Sequence, residues 1–113
     1  MPYVLERMDK LWSARVDNSF GSALPEAPTT YVAGRVYGCI FDDETGLFNR
    51  DRVGMDQITF EVDFPHADST YPNTLEIAET ICRNAGLDSG EIYQLMRGNA
   101  IRAFGLERWG IVQ

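Results

Sequence analysis

Apolar positions recur at three- and four-residue steps from Pro2 to about Arg15, where Val4, Leu5, Met8, Leu11 and Trp12 share one helical face. Pro2 suits a first turn, and Glu6 and Lys10 stand four apart as an ion pair. The spacing predicts a helix whose apolar stripe needs a partner. From Asp17 to Thr30 the pattern lapses into Ser, Gly, Asn, Pro, Ala and Thr, which predicts a connection of 14 residues. Unstructured stretches of that length are uncommon in small domains and tend to line a functional face or belong to a larger framework.

Tyr31 to Phe41 is rich in Tyr, Val, Ile and Phe on both parities, as expected of a strand buried on two faces. Asp42 to Gly46 then turns the chain, and a short helical stretch near Leu47 to Val53 ends at Gly54. In Gln57 to Val62, Ile58, Phe60 and Val62 alternate with Thr59 and Glu61, which predicts a second strand. Pro65 forbids its extension. Asn73 and Glu76 form a capping-box-like start for a helix bearing Ile77, Ala78, Ile81, Cys82 and Ala85, stopped at Gly86. Asp88 and Glu91 repeat that pattern before a last helix, with Ile92, Leu95, Met96, Ala100, Ala103 and Phe104 in register and Gly105 at its end. Gly98 inside it costs about 1 kcal/mol relative to Ala, so a kink or close packing is expected there. Gly34 and Gly38 are expected to admit a neighbouring backbone.

Composition narrows the functions open to such a chain. The 113 residues carry 10 Lys plus Arg against 17 Asp plus Glu, a formal charge of −7. Phosphate backbones repel such a chain, so nucleic acid is not an expected partner. No apolar run reaches the roughly 20 residues of a membrane span, and the N-terminus lacks the order of a signal peptide. A cytoplasmic location is the expectation. Cys39 and Cys82, each within an apolar stretch, are expected as two buried thiols rather than a disulfide. Tyr31, Tyr37, Tyr71 and Trp109 fit a core better than an aromatic pocket.

Candidate chemistry gathers in Phe60-Glu61-Val62-Asp63-Phe64-Pro65-His66-Ala67-Asp68, which holds the sole histidine. Asp63 falls at the C-terminal end of a predicted strand, where α/β proteins place reactive groups. Carboxylate and imidazole are ligands that zinc takes, and a strand-end Asp can accept a proton from a metal-bound water. Plainer roles stand beside these: Asp63 bonding the turn it begins, His66 bonded to loop backbone, Asp68 solvated.

The stretch from Gly54 to Asn73, centred on Phe60 to His66, resembles the final strand and loop of the amidohydrolase-related, decarboxylase-like metal-dependent hydrolases, which commonly read Ser-Asp-Tyr-Pro-His there. Pro2 to Asp9 is similar to a late helix of that family, Pro28 to Phe41 to its seventh strand with the lead-in, and Gly98 to Leu106 to its terminal helix. The resemblance implies an α/β fold, a partial (β/α)8 TIM barrel in which residues 1–113 form a single C-terminal segment: the last two strands with flanking and C-terminal helices. It implies a divalent metal, usually zinc, and a small organic acid as substrate for hydrolysis or non-oxidative decarboxylation. Asp63 matches the metal ligand and catalytic proton acceptor, and His66 is expected beside the pocket as a substrate-binding residue. Val62 and Phe64 depart from the Ser and Tyr common in the family, and no His-x-His is present. A whole barrel takes about 250 residues. The chain alone therefore lacks most metal ligands and is expected to be inactive without the missing N-terminal barrel portion. The alternative is a non-catalytic barrel fragment that self-associates or binds a partner through open strand edges.

Overall fold

The computed structural model describes residues 2–14 and 24–112. The chain divides into two compact units, Met1–Val36 and Tyr37–Gln113.

In the first unit, α1 (Pro2–Ser13) forms where the apolar period predicts it. The predicted connection is shorter than expected at its C-terminal end, because Pro28–Val32 is a second helix, α2. Its residues 17–23 lie outside the described ones. Pro28 at the first position supplies a preset φ, but the N-cap is Ala27, which has no side-chain oxygen to offer. Asp9 takes that role from α1: its carboxylate accepts from the Thr29 backbone N–H at 3.0 Å and from the Thr29 hydroxyl. Trp12 Nε1 donates to the Leu24 carbonyl at 2.9 Å, tying the segment before α2 to α1.

That helix also corrects the strand expected over Tyr31–Phe41. Tyr31 and Val32 are helical, Gly34 turns the chain at φ 70°, and only Gly38–Ile40 is extended, as β1. β-Favouring side chains at Tyr31 and Val32 are overruled by a helix start that α1 caps from outside. Among the described residues nothing lies within 4 Å of where a Cβ on Gly38 would be, so the close backbone approach expected there is not seen.

The second unit continues with α3 (Thr45–Phe48), α4 (Arg50–Val53), a 3-10 turn over Met55–Gln57 and β2 (Ile58–Phe60). β1 and β2 pair in parallel, with Gly38 opposite Ile58, Cys39 opposite Thr59 and Ile40 opposite Phe60. α5 (Thr74–Asn84), α6 (Ser89–Tyr93), a π-helical turn over Gln94–Gly98, α7 (Asn99–Phe104) and a 3-10 turn over Leu106–Trp109 follow. The partial (β/α)8 barrel is thereby overturned. Among the described residues there are two parallel strands of three residues each, in a chain that is otherwise mostly helical. The expected double burial fails too, since Gly38 and Cys39 are exposed and only Ile40 of β1 is buried. Cys82 is buried and its thiol pKa is pushed up by that burial, whereas Cys39 is exposed, with Sγ 3.2 Å from Thr59 Oγ1.

Leu47, fully buried, belongs to the core cluster with Ile40, Ile58, Ile81, Cys82, Ala85 and Leu95. Arg50 ties the rim together: Nε meets Glu91 at 2.6 Å, and one guanidinium nitrogen donates to the carbonyls of Leu47 and Ala85. The Arg50 hydrogen bond, followed by that from the Asp88 backbone, holds the Glu91 carboxyl below its ordinary pKa. Asp88 and Glu91 complete the reciprocal capping box the sequence predicts for α6. At α5 the analogous expectation is not met, since the Asn73 side chain makes no capping bond.

The last helix is continuous but widened. At Gly98 the π turn ends, and a Cβ there would lie 2.9 Å from Tyr93 Cε1, so the glycine admits the Tyr93 ring edge. The expected aromatic core residues are instead solvent-facing: Tyr31, Tyr71 and Trp109 are all exposed. Among the described residues, no helix is long and apolar enough to cross a membrane.

Candidate functional site

The parallel ladder continues one step past β2, where the Glu61 N–H donates to the Ile40 carbonyl at 2.9 Å. The chain then leaves the sheet. Asp63 adopts φ 57°, the left-handed region that a side chain with a Cβ seldom occupies and that Asp tolerates better than most. That reversal turns the following residues back over the strand end. The Asp63 carbonyl accepts from the His66 N–H at 2.9 Å, and Asp63 Oδ1 lies 2.7 Å from His66 Nδ1.

Asp63 therefore bonds His66 through both its backbone and its side chain. It bonds the turn it begins, and it presents a carboxylate–imidazole pair at the C-terminal end of a parallel strand. The pair is open to solvent, with side-chain exposures of 31% for Asp63 and 71% for His66. Nε2 of His66 has no hydrogen-bond partner among the described residues. The hydrogen bond to Asp63 raises the His66 pKa above the ordinary 6.5, helped by the Asp63 charge and, more weakly, by those of Asp68 and Glu61. Phe64 and Tyr71 lie beside the pair in sequence and face each other at 4.8 Å between ring centroids, tilted by 60°.

A raised histidine pKa carries a definite sign. The stabilisation that the Asp63–His66 contact gives the folded loop is fully present below about 6.5, the unfolded value, and is lost as pH rises through the higher folded value. Following the His66 ring proton resonances against pH should therefore give a midpoint above 6.5, and Asp63→Asn should bring it back towards 6.5. A parent midpoint at 6.5 would show that the contact does not persist in solution.

Aspartate and histidine are ligands of the chemical kind zinc takes, but zinc usually takes four. Among the described residues no group of three or more His, Cys, Asp or Glu is placed to hold an ion. The donor set does not fit a metal centre unaided. Asp68, third in the D-x-x-H-x-D spacing, acts on His66 through its charge and makes no hydrogen bond to it.

Two residues that matter here are not evident from the pattern. Thr70, buried in an otherwise open loop, closes the loop on Val62. Asn99, fully buried, donates through Nδ2 to the carbonyls of Met55 and Ile58 at 2.8 and 2.7 Å and anchors the start of β2. The only trace of Asn99 in the sequence is a polar residue one helical turn past Leu95 in an apolar register. No protein-family model and no curated protein matches the chain.

Proposed function

We propose that this chain supplies a proton-handling Asp63–His66 pair to a metal-dependent hydrolase or non-oxidative decarboxylase of the amidohydrolase-related kind, acting on a small organic acid. The observation that carries the reading is the 2.7 Å contact between Asp63 Oδ1 and His66 Nδ1, presented to solvent at the end of a parallel strand. A carboxylate fixing one imidazole nitrogen leaves the other to exchange protons with a reacting group. His66 is also the sole cationic donor available on its loop, since no Lys or Arg occurs between Arg52 and Arg83. Protonated, it is suited to meet a substrate carboxylate through Nε2, and Asp63 is suited to accept a proton from the water that hydrolysis consumes. A zinc ion in this reading needs further ligands from another polypeptide, with Asp63 the one this chain offers. The free thiols of Cys39 and Cys82 agree with a cytoplasmic location.

The decisive experiment isolates the native assembly that contains this chain and assays its turnover on small organic acids, together with its zinc content. Asp63→Asn in that assembly should lower turnover about 10²–10⁴-fold, the range for loss of a positioned acid–base group. Unchanged turnover and zinc content would end the proposal.

A second, non-catalytic reading rests on a different observation. A groove of about 430 Å³ lined by Leu75, Ala78, Cys82, Leu87, Ile92 and Met96 runs beside α5 and α6. Leu75 is 73% exposed and Met96 41%. A second copy of the chain covering that groove would make the protein a self-associating module, detectable as concentration-dependent sedimentation.

A further inference from the structure

We infer that Thr70 is the positioning residue of the Asp63–His66 pair, holding closed the loop that brings the two side chains together. Between Glu61 and Asn73 every residue is exposed or half-buried except Thr70, which is 5% exposed. A buried hydroxyl in so open a loop has a specific use, because burying one without a partner is unfavourable. Its N–H donates to the Val62 carbonyl at 3.2 Å, and its Oγ1 lies 3.4 Å from the same oxygen and 3.1 Å from Thr74 Oγ1. Thr70 thus joins the residue just before Asp63 to the first residue of α5.

The clamp answers a need that Asp63 creates. A left-handed aspartate persists only where its surroundings over-determine it. Two consecutive turns, Asp63 carbonyl to His66 N–H and His66 carbonyl to Ser69 N–H at 3.2 Å, lie within the span closed by the bond from Val62 carbonyl to Thr70 N–H. The outermost sets the span available to the inner two. Losing the hydroxyl leaves the Val62 carbonyl a single donor and frees the loop to open from its base. The hydrogen bonds of Thr70 go to Val62 and Thr74 rather than to Asp63 or His66, so it acts on the pair through the backbone.

The inference does not depend on catalysis, so its test is read on the full 113-residue chain without substrate. Thr70→Val keeps the shape and removes the hydroxyl, whereas Thr70→Ser keeps the hydroxyl. Two signals report the geometry: the Asp63 backbone couplings and carbon shifts that mark a left-handed φ, and the His66 Nδ1 nitrogen shift that marks its bond to Asp63. Thr70→Val is expected to weaken both and to speed amide exchange at His66, Ser69 and Thr70 roughly fivefold, as for loss of one hydrogen bond. Exchange at Leu95 and Ile101 should stay at parent values, and Thr70→Ser should restore the parent spectrum. Thr74→Ala, which removes the second hydroxyl from outside the loop, should give a smaller shift in the same direction and serves if Thr70→Val fails to fold. Parent signals at Asp63 and His66 in both Thr70→Val and Thr74→Ala would overturn the inference. So would exchange that accelerates equally across the core, which marks a general loss of stability.

Discussion

Asn99→Ala is expected to destabilise the unit spanning residues 37–113 by about 3–5 kcal/mol, since buried groups left unpaired cost roughly 1–3 kcal/mol each and truncation adds a cavity. Both amide hydrogens of Asn99 are used, one on Met55 and one on Ile58, and its Oδ1 accepts from Arg102 at 2.8 Å. Arg102 in turn donates to the Asp56 carbonyl at 2.8 Å. One amide thus joins α7 to the 3-10 turn and the first residue of β2, and removing it orphans a carbonyl inside the core. A unit of this size has about 4–11 kcal/mol of total stability, so the variant should lose much or all of its cooperative unfolding in urea. A loss below about 1 kcal/mol would mean water takes over both carbonyls.

Leu47→Ala is expected to cost about 3–5 kcal/mol, the range for emptying a fully enclosed leucine site. Leu47 has no exposed surface and belongs to one core cluster with residues of the sheet, α5 and the π turn, so the space it leaves cannot be refilled by solvent-facing groups alone. Phe48, the next residue and a larger side chain, is 58% exposed. Phe48→Ala should therefore change stability by less than about 1 kcal/mol. Urea unfolding of the two variants side by side separates burial from size, and comparable losses would contradict this placement of the core.

What could be read along the chain was what neighbouring residues settle among themselves. The Asp88–Glu91 capping box forms because both partners lie within one helical turn. Gly86 and Gly105 end their helices at φ 64° and 59°, as residues without a Cβ do. Asp63 and His66 were legible as a pair for the same reason, being three residues apart at the close of an alternating strand. Their 2.7 Å contact was not, because it depends on a left-handed Asp63 and on bonds from Val62 to Thr70.

Where a distant partner decides, the local pattern misled. Tyr31 and Val32 have strand-forming side chains, yet Asp9 reaches across from α1 and caps a helix there instead. With Tyr31 and Val32 helical, β1 is reduced to Gly38–Ile40, and the barrel segment that the family resemblance implied does not form. Asn99 reads as an interruption of an apolar face until β2 is placed beside it. The sequence by itself determined the helix periods, the stops, and the chemistry available near the end of β2. Tertiary structure alone decided strand length, the identity of the buried polar residues and the geometry of Asp63, because each depends on hydrogen-bond partners that local propensity cannot specify.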